Sequence, residues 1–251
     1  MITEAEKSKF SQICKEVINK VHDRSGIGTY KEKIIHLVLK KFFCEDESCH
    51  EVKTGRFVAD AATEDTVFEV QTRGLYPLKK KISSYLEDTD KNIVVVIPVI
   101  KQKQLVWVDY ESGEITEPKK VSVSKPLNTV LREFMWIGGL VDFSRVKIKL
   151  VYIKADEYRL LDGYGADKKI KATKIDKIPK ELVDIVTIES KEDFASLFLP
   201  EGLPQEFRAK EFEKATGLRK KGVFAGLCAL ESLGIIERKK HSERKVVYRI
   251  I

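Results

Sequence analysis

The stretch NIVVVIPVI, residues 92–100, constrains the fold more than any other part of the chain. It is a nearly unbroken β-branched run, the composition of a strand covered on both faces, and such a strand needs helices above and below its sheet. Suitable helices precede it. Phe10, Ile13, Cys14, Val17, Ile18 and Val21 share one helical face, and TYKEKIIHLVLKKFF repeats the pattern with Ile34, Ile35, Val38, Leu39 and Phe42. The link DRSGIG offers Gly26 or Gly28 as a left-handed cap, and Thr29 followed by Glu32 matches a capping box. From His50 the period changes to that of strands: HEVKT, RFVADAA and TVFEVQT predict a three-stranded meander. GLYPLKKKISSYLED restarts a helix at Pro77. QLVWVDYESGEI reads as a strand running into a turn at Gly113, LNTVLREFMWIGGL as a helix and RVKIKLVYIKA as a strand. The fold class predicted for residues 1–155 is therefore α/β with a mixed sheet flanked by helices.

Residues 156–198 mix charge with short apolar pieces and show no long period, so they read as a connector with little helices. From Pro204 the pattern sharpens again: QEFRAKEFEKATG, then LRKKGVFAGLCALESLG, then two strands around a polar turn in IIERKKHSERKVVYRII. Helix, tight turn at a Gly, helix and basic hairpin is the order of a winged helix-turn-helix, assigned to residues 199–251.

At 251 residues and 43% hydrophobic, the chain can bury one sizeable core plus a small satellite domain. A formal charge of +7 permits an acidic polymer as partner, nucleic acid first and membrane surface second. The N-terminal stretch lacks the uninterrupted apolar core of a signal peptide, and no stretch approaches the length of a membrane-spanning helix. These features predict a cytoplasmic protein. Cys14, Cys44, Cys49 and Cys228 are too scattered for a disulfide framework and read as reduced thiols. A zinc site at Cys44, Cys49 and His50 would need a fourth ligand that no usual spacing supplies.

Two carboxylates stand out inside apolar strands: Asp60 in RFVADAAT and Glu69 in VFEVQT. On neighbouring strands joined by a tight turn they can project from one sheet face near the same end, which makes a hard-cation site. Mg²⁺ takes one or two protein carboxylates and completes its shell with water and phosphate oxygens, as metal-assisted phosphodiester hydrolysis requires. Asp60 followed by Glu69-Val70-Gln71 resembles the PD-(D/E)xK nuclease superfamily, the restriction-endonuclease-like fold, over roughly residues 5 to 110. In that family the Asp and Glu bind the metal, a Lys two residues after the Glu orients or activates water, and a carboxylate from the preceding helix often joins. The resemblance implies Asp60 and Glu69 as ligands of Mg²⁺ or Mn²⁺ and Glu32 as the helix carboxylate. The family's Pro is absent, since Val58-Ala59 precedes Asp60, and Gln71 stands in the Lys position. A carboxamide can hold a water but cannot supply positive charge. Some members carry Gln there or take the cation from the next helix, which makes Lys79, Lys80 or Lys81 the stand-in. We take Lys79 as the catalytic candidate and Arg73, Lys80 and Lys81 as contacts to DNA phosphates.

The same residues have structural readings. Asp60 and Glu69 fit the solvent face of half-exposed strands, Glu32 a capping box, Gln71 a polar strand end, and the lysine run a solvated helix face.

The C-terminal segment makes a separate case. From Pro204 to Ile251 twelve Lys or Arg stand against six Glu. Arg219, Lys220 and Lys221 open the recognition helix, and Lys239, Lys240, Arg244 and Lys245 lie on the hairpin, the two surfaces a winged helix lays on DNA. The expected activity is that of a Mg²⁺-dependent DNA endonuclease, and cutting of two strands would favour a homodimer. The alternatives are a DNA-binding or regulatory protein that has lost turnover, and an assembly module. The segment GIGTY follows a helix rather than a strand, so it does not read as a phosphate-binding loop.

Overall fold

The computed structural model of the chain describes residues 2–24, 33–123, 126–164, 171–240 and 246–251. The capping box of Thr29 and Glu32, the glycines Gly26 and Gly28, Arg244 and Lys245 lie outside the described residues, as do the side chains of Val21 and Lys240. Two helices, α1 (Glu4–Arg24) and α2 (Ile34–Phe43), pack through the two apolar faces read from the sequence, with Phe10 and Phe42 edge to face at 5.7 Å. Together they cover one face of the sheet, against Val70, Val94, Val96, Val151, Ile153 and Leu182.

The sheet begins with the meander β1 (His50–Thr54), β2 (Phe57–Ala62) and β3 (Thr66–Val70), paired antiparallel in turn. Helix α3 (Leu78–Asp88) then crosses to β4 (Asn92–Asp109), which lies parallel to β3 with Thr66 opposite Asn92 and Val70 opposite Val96. A crossover helix is what joins parallel neighbours. Strand β6 (Val146–Leu161) continues parallel to β4, and β7 (Thr173–Ile188) closes the sheet antiparallel to β6. A short strand β5 (Lys119–Val121) pairs with β4 opposite Lys103–Leu105. Ile93, Val95 and Ile97 face one core while Val94 and Val96 face the other, so the run that opened the reading is covered on both sides.

The second face carries α3, α4 (Pro126–Glu133), two 3-10 turns at Phe134–Trp136 and Gly138–Leu140, and α5 (Lys191–Phe198). The chain then forms β8 (Glu206–Phe207), α6 (Ala209–Thr216), α7 (Lys221–Ser232), β9 (Ile236–Lys240) and β10 (Val246–Ile250), with β10 between β8 and β9 in a small sheet. Phe207, Phe212, Leu227 and Leu230 of this segment share one core with Phe134, Ile148 and Leu150.

Three expectations change. The runs NIVVVIPVI and QLVWVD are one strand, β4, whose register against β6 shifts between Ile100 and Gln102. The helix read over 127–140 breaks after Glu133 into 3-10 turns, where Gly138 approaches Ser232 so closely that a Cβ would lie 2.1 Å from its Oγ. Residues 156–198 are no connector: 156–161 finish β6, 173–188 form β7 and 191–198 form α5. The C-terminal segment is accordingly built onto the main core instead of hanging from a linker.

Candidate functional site

Asp60 and Glu69 come together where β2 leaves β3. The paired rungs end at Ala61 and Phe68, and one residue further on Asp60 Oδ2 accepts a hydrogen bond from Val70 N–H at 2.7 Å. The carboxylate thus takes over the next place in the ladder, satisfying a backbone donor that the departing strand would leave unpaired. Nε2 of His36, from α2, lies 3.2 Å from the same oxygen. Burial works to push the Asp60 carboxyl up, but His36, the Val70 amide and Lys81 together hold it below its ordinary value.

Glu69 points to the other side of the sheet. Its side chain is 2% exposed, both oxygens accept from Lys81 Nζ at 2.9 Å, and Oε1 also accepts from the Tyr85 hydroxyl at 2.7 Å. Lys81 and Tyr85 stand four apart on α3, the spacing that aligns two side chains over one spot. Burial pushes the Glu69 carboxyl up first and the nearby Asp60 charge adds to it, and against Lys81 and Tyr85 the outcome is about 7. Burial and Glu69 push the Tyr85 phenol up, so it stays a donor. The two carboxylates therefore do not share one face, as the strand period suggested. They approach from opposite faces around the end of a ladder, because Asp60 turns its side chain to Val70 N–H and to α2.

Of the three lysines offered by KKK, helical phase selects Lys81. Lys79, read as the catalytic candidate, and Lys80 are exposed on α3, while Lys81 reaches Glu69. Gln71 lies on the same strand edge two residues after Glu69, but its Nε2 donates to Gly74 O at 2.7 Å, tying it to the loop that follows β3. Arg73 is exposed on that loop. The Glu32 assignment lies outside the described residues. His36 and Tyr85 had no part in the sequence reading. Tyr85 was findable, since it continues the inward stripe of Leu78 and Ile82, whereas His36 carries no comparable signal.

Among the described residues no three His, Cys, Asp or Glu side chains gather as a metal cage. A Mg²⁺ site needs only two carboxylates, and a buried carboxyl that a second carboxylate pushes up, as Asp60 does Glu69, is one whose charge a divalent cation would relieve. Asp60 and Glu69 fit that role. Lys81, on both Glu69 oxygens, now carries the compensating charge and would have to give way to the ion. Near Cys44 and Cys49, His50 Nε2 is 2.7 Å from the Cys44 carbonyl oxygen, a structural contact.

At the C-terminal end Arg219, Lys220 and Lys221 are exposed at the α6–α7 turn, and Lys220 is held at φ +38°. One side of α7 packs closely on α4: a Cβ on Gly226 would lie 3.2 Å from Phe212 and 3.4 Å from Leu131. Lys221, Phe224 and Glu231 remain on its outer face. On the hairpin, Lys239 lies 3.5 Å from Glu206 and 3.4 Å from Glu237, and Arg249 pairs with Glu237 at 2.6 Å.

No helix among the described residues is long and apolar enough to cross a membrane. Neither the comparison with curated proteins nor that with solved structures gives a match. The profile of a domain of unknown function, DUF8091, matches residues 33–189, which run from the first residue before α2 to the end of β7 and hold Asp60, Glu69, Lys81 and Tyr85. The match takes in more than half of the chain, and the protein belongs to the DUF8091 family.

Proposed function

We propose that the protein is a metal-dependent DNA endonuclease of the PD-(D/E)xK type. The observation that carries this reading is the placement of Asp60 and Glu69 around the end of the β2–β3 ladder with Lys81 on Glu69, a helix-borne cation in place of the one Gln71 cannot supply. The meander, crossover helix and parallel fourth strand support it further, since the resemblance implies a mixed sheet of that kind. In this reading Asp60 and Glu69 hold Mg²⁺ or Mn²⁺, which would supply Lewis-acid charge and an activated water. Lys81 steadies charge on the phosphate, and Tyr85 fixes the Glu69 carboxylate.

The order α5, β8, α6, α7, β9, β10, with β10 between β8 and β9, supports a winged helix-turn-helix reading of the C-terminal segment, with α7 as its recognition helix. Arg219, Lys220 and Lys221 are its best phosphate contacts. Lys239 already shares its charge with Glu206 and Glu237, so the hairpin contributes less than its composition promised. Salt titration of duplex binding tests this: affinity should fall along a log–log line, with about 0.9 ions released per neutralised phosphate.

A second reading, DNA binding without turnover, is favoured by Lys81 neutralising Glu69 in place and by Gln71 turning to Gly74. The deciding assay incubates the purified protein with linear, supercoiled, single-stranded and branched DNA and Mg²⁺ or Mn²⁺. The nuclease reading expects cleavage that Asp60→Ala abolishes while DNA binding persists. The second expects binding without cleavage on every substrate. Cutting that survives Asp60→Ala would overturn the site.

A further inference from the structure

A cavity of about 310 Å³ opens beside the loop that follows β3, between the start of α2 and β7. Lys33, Arg73, Lys174 and Lys177 line it together with Thr72, over a floor of Ile35, Pro98 and Ile100, and Asp176 is the one carboxylate among its described lining residues. We infer that this cavity binds a phosphate group, with Arg73 and Lys177 as its principal donors and Thr72 and Lys33 completing the cradle.

The charge balance of the cavity leaves room for an anion. Asp176 is already engaged: Oδ2 accepts from Ile34 N–H at the start of α2 at 3.2 Å, and Oδ1 accepts from Lys177 N–H at 2.7 Å and lies 3.8 Å from Lys33 Nζ. Lys33 also donates to Ile175 O at 2.9 Å. Lys174 leans 3.3 Å from Glu157, a carboxylate that Lys103 and Arg159 also hold. That leaves Arg73 and the Lys177 ammonium without a carboxylate in salt-bridge reach among the described residues. Burial, with Lys174 and Lys103 close by, outweighs the pull of Glu157 and pushes the Lys177 ammonium below its ordinary value. The Thr72 hydroxyl has no hydrogen-bond partner among the described residues, so it is available as a neutral donor. Several converging donors over an apolar floor suit a tetrahedral anion, and the volume is at the small end of small-molecule sites, room for a phosphate and little more than its ester group. The site does not depend on the cleavage reading, because the hydrogen-bond partners of Asp60 and Glu69 are His36, Val70, Lys81 and Tyr85, none of which lines the cavity.

The test titrates the full chain, by calorimetry at low salt, with inorganic phosphate and with a short single-stranded oligonucleotide bearing either a 5′-phosphate or a 5′-hydroxyl. Phosphate binding should weaken at least about tenfold in the combined Arg73→Ala, Lys177→Met variant, since a charge-assisted donor contributes of that order. It should be unchanged in a Lys119→Ala, Lys120→Ala control on β5, provided circular dichroism shows both variants folded. Tighter binding of the 5′-phosphorylated strand than of the 5′-hydroxyl strand, lost in the double variant, would identify a strand end as the source, and equal binding of the two strands would identify the free anion. The inference is overturned if inorganic phosphate does not bind and the two strands bind alike, or if the folded double variant binds inorganic phosphate as the wild type does. Asp60→Ala should keep phosphate binding even where it abolishes cutting, so failure of the nuclease reading would be told apart from failure here.

Discussion

Glu69 and Glu157 are equally buried, each side chain 2% exposed in the same sheet, and they behave in opposite ways. Burial opposes the charge of both. At Glu157 three cations answer it: Arg159 at 2.7 Å, Lys103 at 3.2 Å and Lys174 at 3.3 Å, and the carboxyl is held down at about 2. At Glu69 one lysine and a tyrosine face a second carboxylate, Asp60, and the carboxyl is raised to about 7. The number and sign of the neighbours, together with a more desolvated setting at Glu69, decide the outcome. An over-compensated carboxylate fixes structure, here joining the far halves of β4, β6 and β7. An under-compensated one has charge capacity to spare, which is the property a cation site needs.

The largest effect expected from this difference is on catalysis. Truncating Lys81 to Met should lower cleavage on the order of 10²-fold or more, as loss of other charge-stabilising donors does, with DNA affinity nearly unchanged. An equal loss from Lys79→Ala would break the assignment.

Next comes stability at neutral pH. Glu157→Gln should destabilise by about 1.5–3 kcal/mol, the worth of a charged hydrogen bond, since Lys103, Arg159 and Lys174 keep some access to water, measured by denaturant unfolding. Glu69→Gln should cost far less at pH 8, where the native carboxylate is charged against its neighbours.

The pH dependence separates the two further. For Glu157 the folded value lies below the ordinary 4.5, so its stabilisation is present above that pH and is lost as pH falls toward about 2. For Glu69 the folded value lies above 4.5, so the folded state holds the extra proton and stability declines as pH rises from 4.5 through about 7. That decline is at most about 3 kcal/mol, and Glu69→Gln should flatten it. A slope that survives the substitution would place the titration elsewhere.

The smallest effect concerns Tyr85. Tyr85→Phe should cost about 1–2 kcal/mol for the lost hydrogen bond to a charged acceptor and move Glu69 titration upward, as read by carboxyl-carbon NMR. A downward move would show that Tyr85 does not stabilise the charged form.

The half of the molecule that holds Glu69 was largely legible. The meander, the Pro77 helix start and the first half of β4 follow from period and turn chemistry, and the two carboxylates stood out against Val, Phe and Ala. Their opposite faces were hidden because the turn of Asp60 toward Val70 N–H is a local exchange of a ladder bond, invisible to a two-residue period. Lys81 was separable from Lys79 by the phase of Leu78, Ile82 and Tyr85. The half that holds Glu157 was not legible. In β7, TKIDKIPKELVDIVTI carries Lys174, Lys177 and Lys180 in its first half and a Pro at 179, which an edge strand with register shifts tolerates and a central strand does not. The partners of Glu157 come from three strands, Lys103 on β4, Arg159 on β6 and Lys174 on β7, so no local motif announces them. In the C-terminal segment, composition showed the charge but not that Glu206 and Glu237 take part of it.

The most direct measurement is the titration of ¹³C-labelled Glu69 with and without Mg²⁺. The account predicts a midpoint near 7 in the free protein, moving below the ordinary carboxylate range once Mg²⁺ is added, and no such metal-induced shift at Glu157. A Glu69 midpoint that Mg²⁺ leaves in place would contradict the cation site.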